Sequence, residues 1–298
     1  MRNTRLRRPA FVACALFLLA CADLAAQRFR TTIDTVQVSV TVTNANGRLI
    51  TGLSRDDFEV FEDGTPQPIT VFTDERVPIS LGVLLDSSDS MRGQRIADAR
   101  GAVDRFVSTL LEPGDEAFIA AFNHKPRLVS AWTKPPGVLS GRLDELFASG
   151  ATALYDALVT SAPLFGRRSH PRAALIVISD GVDTASDVSL RRASEIVRRF
   201  EPLVYAIAID SDSPSPAARV NAGALREITA TSGGYTEVVR TSADLGPATE
   251  RIANELNKQY TLGYVPSRPP DGKWRGIRVR VRNGDYFTRA RRGYFSAR

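Results

Sequence analysis

The stretch Val83-Leu84-Leu85-Asp86-Ser87-Ser88-Asp89-Ser90-Met91 decides the fold prediction. An apolar run ends abruptly at a carboxylate, and hydroxyl side chains follow at alternate positions. We therefore expect Asp86, Ser88 and Ser90 to converge on one point at the end of a buried strand. Carboxylate and hydroxyl oxygens suit a hard divalent cation, Mg²⁺ above all. The pattern Asp-x-Ser-x-Ser is short and occurs by chance, so it needs support from elsewhere in the chain.

Two downstream segments supply that support. Ser149-Gly150-Ala151-Thr152 is a glycine-containing loop that offers one more hydroxyl, from Thr152, at the start of an apolar-periodic helix. A second apolar run, residues 173–178, ends in Ser179-Asp180-Gly181. In open α/β sheets, ligands bind at the carboxyl ends of the parallel strands. Asp86 and Asp180 are therefore predicted to share one rim of a sheet.

Together these residues resemble a von Willebrand factor type A domain over roughly residues 76–259. That family's metal-ion-dependent adhesion site uses an Asp-x-Ser-x-Ser loop, a Thr and an Asp, which correspond to Asp86, Ser88, Ser90, Thr152 and Asp180. The resemblance implies that Ser88 and Ser90 coordinate Mg²⁺ directly, with Mn²⁺ or Ca²⁺ as alternatives. Thr152 would coordinate it directly or through water, while Asp86 and Asp180 would orient waters and balance charge. It also implies that an Asp or Glu of a partner protein completes the coordination shell.

The middle of the chain alternates between strands and amphipathic helices. Its apolar runs have no polar face, which suits parallel strands covered on both sides. They are Ile79–Leu85, Ala117–Phe122, Ala173–Ile178 and Leu203–Ile209. This alternation predicts an α/β fold with a doubly wound, mostly parallel, Rossmann-like sheet. Residues 127–132 are predicted to form a short antiparallel edge strand.

Both flanks of this region have the pattern of β-structure. Val36, Val38, Val40 and Val42 alternate with polar residues, and short strands are predicted again after Gln259. Few strands make a poor domain, so residues 28–75 and 260–298 are predicted to combine into one smaller β-sandwich-like domain around residues 76–259. Two separate small units are the alternative. The flanks also resemble those of secreted bacterial proteins, abundant in Acidobacteria, described only as von Willebrand factor A-related.

Residues 1–26 are predicted to be a signal peptide. Four arginines precede an apolar stretch of about 13 residues, which is too short for a bilayer span of ~20. Both cysteines, Cys14 and Cys21, lie in this segment. Residues 18–21 partly resemble a lipobox, so a lipid anchor at Cys21 is an alternative to a freely diffusing product. The prediction is an exported protein that is secreted, periplasmic or on the cell surface.

Charge and composition exclude several function classes. The net charge is +6, and 35 basic against 32 acidic residues remain after residue 26, so the chain does not demand an acidic partner. Only two histidines occur, and no nucleophile elbow or phosphate-binding glycine loop is present. We expect no enzymatic activity and no nucleic-acid binding. Arg275, Arg278, Arg280 and Arg282 are predicted to form a ladder that faces solvent or acidic strands, with contact to anionic surface polymers or lipid headgroups as the alternative. Glu59, Glu62 and Asp63 are predicted to form the solvated face of a strand.

Two functional hypotheses follow. The first is an exported adhesion-type module that uses the divalent cation to engage an acidic group on a partner protein. The alternative is an envelope structural or assembly component whose metal only stabilises the fold.

Overall fold

The computed structural model describes residues 35–210, 221–282 and 284–297. The predicted signal peptide, with Cys14 and Cys21, lies outside these residues. The strands are β1 (Val36–Thr43), β2 (Phe58–Glu62), β3 (Thr65–Gln67), β4 (Val71–Thr73), β5 (Ser80–Asp86), β6 (Glu116–Phe122), β7 (Pro126–Thr133), β8 (Ala173–Ser179), β9 (Leu203–Ile209), β10 (Thr236–Val239), β11 (Tyr260–Tyr264), β12 (Trp274–Val281), β13 (Phe287–Arg289) and β14 (Gly293–Phe295). The α-helices are α1 (Gln94–Arg105), α2 (Leu154–Ser161), α3 (Leu190–Phe200), α4 (Ala222–Ser232) and α5 (Leu245–Asn257).

A six-stranded central sheet has the order β10-β9-β8-β5-β6-β7. Its strands are parallel except β7, which pairs antiparallel with β6 at one edge. Chain order reverses beside β5, so the carboxyl ends of β5 and β8 lie next to each other at one rim. The predicted doubly wound, mostly parallel sheet is confirmed, as is its antiparallel edge strand.

Side chains of the central sheet pack alternately into two apolar cores. Leu81, Val83 and Leu85 of β5 belong to one core, which also contains α1 and α5. Leu84 points to the other core, with α2, α3 and α4. Because both faces of each inner strand are covered, the strands carry no polar face, which explains the uninterrupted apolar runs in the sequence.

Helix α3 illustrates how local sequence sets an element's bounds. It begins at the Ser189 cap, whose Oγ accepts a hydrogen bond from the Arg192 N–H. It ends where Glu201 adopts a left-handed conformation with φ of 60°. Its buried residues, Ala193 and Val197, recur at the helical spacing of four and face the core, which leaves its arginines on the outer side.

The two flanks of the chain form two further four-stranded sheets. Their orders are β13-β1-β11-β4 and β14-β12-β2-β3. In the first, β1 pairs antiparallel with β11, and in the second β2 pairs with β12, so each sheet combines both flanks. One apolar core lies between them, to which β1, β2, β11 and β12 all contribute. The predicted smaller β-sandwich-like part is confirmed; the boundaries at residues 76 and 259 stay a prediction.

The prediction of a solvated strand face is wrong for Glu62, and Arg275 of the predicted arginine ladder pairs with an acidic residue instead of facing solvent. Glu62 and Arg275 are each only 2% exposed, so neither lies on a solvated strand face. Glu62 accepts hydrogen bonds from the hydroxyls of Tyr264 and Tyr294 at 2.9 and 2.8 Å, and Arg275 Nη1 lies 3.3 Å from it. The pairing explains the burial, because a buried charge needs a partner and hydrogen bonds.

A buried polar cluster joins the central sheet to the sandwich. Glu255 of α5 accepts hydrogen bonds from Thr41 of β1 at 3.0 Å and from the Tyr205 hydroxyl of β9 at 2.9 Å. Gln259 donates to both of those hydroxyls at 3.0 Å and accepts from Arg172 at 2.8 Å. Burial beside Glu255 raises the pKa of Tyr205, so its hydroxyl stays a donor. Within the described ranges, no helix has the length and apolarity needed to cross a bilayer.

Candidate metal centre

Asp86 is the last residue of β5 and is fully buried. Its Oδ1 accepts a hydrogen bond from the Ser88 N–H at 2.8 Å, and its Oδ2 accepts one from the Ser179 hydroxyl at 2.6 Å. The first bond folds the chain back immediately after the strand. The second ties β5 to the end of β8. Asp86 is therefore held rigidly between two adjacent strand ends.

Ser88 and Ser90 follow Asp86 on a short 3₁₀ turn. Their hydroxyl oxygens lie 3.0 Å apart. Ser88 is 1% exposed, whereas Ser90 is exposed. Solvent exposure therefore increases from Asp86 through Ser88 to Ser90, and the hydroxyl oxygens of the two serines meet near the surface.

The loop that carries Thr152 is tied to the Asp86 loop by main-chain hydrogen bonds. The Ser149 N–H donates to the Ser87 carbonyl, and the Asp89 N–H donates to the Gly150 carbonyl, both at 2.8 Å. Thr152 is 5% exposed, and its N–H donates to the Thr184 hydroxyl at 3.0 Å. Its own hydroxyl has no hydrogen-bond partner within the described part of the chain. The loops converge, and the Thr152 hydroxyl remains available as a ligand.

Asp180 follows β8 and is 6% exposed. Its Oδ1 accepts a hydrogen bond from the Val182 N–H at 3.1 Å, and its carbonyl accepts one from the Asn221 N–H at 2.9 Å. Gly181 between them has φ of 76°, and a Cβ there would lie 2.7 Å from the Asn221 carbonyl oxygen. Only glycine fits this turn, which places Asp180 at the rim beside Ser179 and hence beside Asp86.

The electrostatics of the rim favour a cation. Burial raises the pKa of Asp86 to about 6; hydrogen bonds from Ser179 and Ser88 oppose this rise and the neighbouring charge of Asp180 adds to it. Within residues 35–210, 221–282 and 284–297, neither Asp86 nor Asp180 has an ion-pair partner. A buried carboxylate without a positive neighbour is costly. A divalent cation would offset that cost.

The donor set also fits such a cation. Two carboxylates and three hydroxyls offer only oxygen, which suits Mg²⁺, Mn²⁺ or Ca²⁺. In the described ranges, no group of three or more His, Cys, Asp or Glu side chains could hold a metal. Any metal at the rim would therefore depend on hydroxyl and water ligands, as the sequence predicts.

The other acidic residues near the rim have structural partners. Asp156 accepts hydrogen bonds from the Asp187 and Val188 N–H groups at 3.0 and 3.2 Å. Asp183 accepts from the Tyr155 N–H and from the Ser186 hydroxyl. Asp89 is exposed and pairs with Arg92 at 2.7 Å. The first two hold the loops in place, and Asp89 adds negative charge at the surface.

Sequence reasoning missed two residues that position the site. Ser179 was assigned only to the end of an apolar run, yet its hydroxyl donates to Asp86 and accepts from the Gly181 N–H at 3.0 Å. Thr184 fixes the Thr152 loop through its hydroxyl. The position of Ser179, directly before a strand-end aspartate on the strand beside β5, was an available signal. Nothing in the sequence indicated Thr184.

Comparisons with known proteins agree with this geometry. Residues 81–182 match the family model of the von Willebrand factor type A domain. No curated protein matches the chain. Among solved structures, the chain resembles a von Willebrand factor type A protein from Catenulispora acidiphila, with a TM-score of 0.54, 13% identity and coverage of 90% of this chain and 75% of that one.

Two further structures are similar over the central region. One is the von Willebrand factor domain of the type V pili tip protein Mfa5 from Porphyromonas gingivalis, with a TM-score of 0.51, 14% identity and coverage of 61% and 96% of the two chains. The other is proximal thread matrix protein 1 from the mussel byssus, solved with a zinc-occupied metal-ion-dependent adhesion site. It has a TM-score of 0.54, 14% identity and coverage of 64% and 48%. At these identities the likeness shows the fold alone.

Proposed function

This chain contains a von Willebrand factor type A domain, and we propose that it is an exported binding module that engages an acidic group of a partner protein through a divalent cation. The observation that carries the proposal is the rim itself. The buried Asp86 has no basic partner within the described residues, and two serine hydroxyls meet 3.0 Å apart beside it. Packing of a strand end does not require a buried carboxylate without a charge partner, because such a group is costly to bury.

The five predicted residues would have different roles in cation binding at the rim. Ser88 and Ser90 would hold the cation through their hydroxyl oxygens, and Thr152 would contribute the free hydroxyl of the neighbouring loop. Asp86 and Asp180 would orient coordinated waters and balance the charge. When bound, the cation supplies an electrophilic position that a carboxylate can occupy. We propose Mg²⁺ as the resident ion, because hydroxyl-rich oxygen sites suit small hard cations; Mn²⁺ and Ca²⁺ are the alternatives.

The proposal does not include catalysis. A hydrolase with a side-chain nucleophile needs that nucleophile within hydrogen-bond reach of a base. The imidazole nitrogens of His124 and His170 are not hydrogen-bonded to any serine hydroxyl or carboxylate in the described ranges. His170 instead donates its main-chain N–H to Ser80 at 3.1 Å. The rim accordingly has the parts for holding an ion and a carboxylate, and among the described residues no histidine base is bonded to its hydroxyl groups.

Export to the envelope or cell surface is part of the same proposal. The predicted signal peptide supports it, as does the likeness to a pili tip protein domain. A module in this compartment would meet partner proteins of the envelope or cell surface. The competing hypothesis is an envelope structural component in which the metal stabilises the rim and bridges nothing.

A comparison of metal-dependent stability and metal-dependent binding separates the two hypotheses. The thermal midpoint of the mature protein would be measured in EDTA and in Mg²⁺, Mn²⁺ and Ca²⁺. Binding to the native state alone stabilises it by about 2.7 kcal/mol at a hundredfold excess over Kd. Envelope proteins that the immobilised chain retains in Mg²⁺ would then be eluted with EDTA. The affinity of the chain for each eluted protein would be measured in Mg²⁺ and in EDTA.

Thr152→Ala is the informative variant and Thr133→Ala, on the edge strand β7, is its matched control. Loss of Mg²⁺-dependent retention in Thr152→Ala but not in the control is the expected result. Equal partner affinity in Mg²⁺ and EDTA would reject the bridging role, and metal-dependent stability alone would then favour the structural component.

A further inference from the structure

The outer face of the second sandwich sheet is unusually rich in arginine and aromatic side chains. Strand β12 alternates, so that Arg275, Ile277 and Val279 face the core and Trp274, Arg278 and Arg280 face outward. Phe61 lies opposite Arg278 on β2, and Phe295 lies opposite Trp274 on β14. We define the arginine face as the following residues: Phe61, Arg198, Arg199, Trp274, Arg278, Arg280 and Phe295.

The arginines of this face rest on aromatic rings. The guanidinium carbons of Arg278 and Arg280 lie 4.8 and 5.6 Å from the centre of the Phe61 ring. At the other end of β12, Arg198 of α3 lies 5.5 Å from the Trp274 ring. Arg199 likewise lies 5.7 Å from the Phe295 ring. These contacts position four positive charges without neutralising them.

The four arginines have no carboxylate partner in the described ranges. The contrast with nearby arginines is direct, because Arg282 pairs with Glu59 at 3.6 Å and Arg191 pairs with Glu195 at 3.1 Å. Residues 274 to 280 of a strand span about 20 Å. Glu59 lies opposite Arg280 on β2 but pairs with Arg282, so the row keeps an excess of positive charge. An excess of positive charge over that length attracts a polymer with repeated negative groups.

A groove of about 580 Å³ continues the same surface. It lies between α4, β12 and β13, and Arg278 lines it together with Arg226 and Arg292. These two arginines also have no carboxylate partner among the described residues. An extended anionic chain bound to the sheet could continue into this groove, because arginines line the groove as well.

The kind of polymer follows from what the aromatic rings do. Nucleic-acid bases bind by stacking on open ring faces, but a guanidinium group already covers a face of each ring. Membrane docking needs protruding apolar side chains that insert into lipid, whereas Phe61 and Trp274 are half-buried in the sheet. Phe295 is 38% exposed, but the Arg199 guanidinium lies over its ring. Carboxylates need only the guanidinium fork, which binds them with two parallel hydrogen bonds.

We propose that the arginine face and its groove bind a linear acidic polysaccharide. The site is separate from the metal rim. Arg198 and Arg199 lie at the end of α3 that leads into β9, and hence at the edge of the central sheet opposite the strand carboxyl ends. Polysaccharide binding is therefore independent of the divalent cation.

Polygalacturonate is the probe, and neutral dextran of similar length is its control. The mature chain should bind polygalacturonate and not dextran, and EDTA should leave the affinity unchanged. Raising NaCl from about 50 to about 200 mM should weaken binding by roughly tenfold or more, because counterions compete for the contacts. Arg278→Gln/Arg280→Gln should weaken it roughly tenfold at the lower salt concentration.

Two matched variants make the test decisive. Arg127→Gln/Arg142→Gln removes the same charge from exposed arginines outside the face and should change affinity less than twofold. Arg278→Lys/Arg280→Lys keeps the charge and should retain most of the binding. Each variant's thermal midpoint would be compared with that of the wild type.

Three outcomes would overturn the proposal. The first is an equal loss in both glutamine variants, which would indicate diffuse attraction to the whole protein. The second is tighter binding to duplex DNA or to vesicles of phosphatidylglycerol and phosphatidylcholine than to polygalacturonate. The third is no binding to polygalacturonate at low salt.

Discussion

Two buried carboxylates, Asp86 at the rim and Glu62 in the sandwich, differ in the charge of the groups that bind them. Both are at most 2% exposed. Glu62 receives two tyrosine hydroxyls and the guanidinium of Arg275, so its charge is paired and hydrogen-bonded within the chain. From the described residues, Asp86 receives only neutral donors, one main-chain N–H and one serine hydroxyl.

The difference separates a structural carboxylate from a functional one. Where a charge only has to be buried, the chain supplies the opposite charge itself, because an unpaired buried ion is strongly destabilising. At the rim, no basic side chain within the described residues fills that role, and burial raises the pKa of Asp86 to about 6. The missing positive charge is what we propose a divalent cation supplies.

The largest expected effect comes from removing the partner of Glu62. Arg275→Met should lower the free energy of unfolding by about 3–5 kcal/mol, because it leaves Glu62 buried without its charge partner. Urea unfolding at neutral pH measures the change. Arg282→Met, directly after the same strand but exposed and paired with Glu59 at 3.6 Å, is the matched control and should lower it far less.

A double variant tests whether the loss belongs to the pair. Arg275→Met/Glu62→Gln should recover part of the stability, since the uncompensated charge is gone. If the double variant were as unstable as the sum of the two single variants, the two residues would be uncoupled and the contrast with Asp86 would lose its basis.

At the rim, removal of the buried charge is expected to raise the free energy of unfolding instead of lowering it. Asp86→Asn keeps the shape and the hydrogen bond from Ser88 while removing a charge that burial disfavours. In EDTA it should raise the free energy of unfolding, by up to about 3 kcal/mol at neutral pH. Glu62→Gln under the same conditions should lower it. A destabilised Asp86→Asn protein in EDTA would mean that the strand end already compensates the carboxylate.

The smallest effect is expected at the edge of the Glu62 cluster. Arg268 approaches Glu62 at 3.4 Å and also pairs with Asp63, and it is half exposed. Arg268→Gln should change the urea midpoint much less than Arg275→Met, because solvent screens an exposed arginine. An equally large loss would show that the cluster depends on all its donors and not on the buried pair.

Much of the fold was predictable because buried parallel strands and their helices have distinctive sequence patterns. The bounds of β9 were predicted to the residue, and those of β5, β6 and β8 to within one. The short strands β3, β10 and β14 were missed, because three or four residues carry too little periodicity to distinguish them from turns. The pairing of the two flanks followed from the weakness of either one alone.

Long-range polar partners could not be predicted. Arg275 was predicted to share one strand face with Arg278. The two lie three residues apart on β12, so their side chains point to opposite faces and Arg275 faces the core. Glu62 is buried because two tyrosines and an arginine more than 200 residues away meet it. Ser179 likewise reaches Asp86 because β8 pairs with β5, although the two residues are far apart in the sequence. Such contacts depend on strand register, which a single sequence does not specify.

Calorimetric titration of Mg²⁺ into the metal-free mature protein tests the central claim most directly. We predict saturable binding of one ion per chain, accompanied by a higher thermal midpoint, and loss of both in Asp86→Asn and Ser88→Ala/Ser90→Ala. Ser108→Ala, an exposed serine after α1, should bind as the wild type does. Absence of binding, or equal binding in the Asp86→Asn protein, would contradict the assignment of the rim as a divalent-cation site.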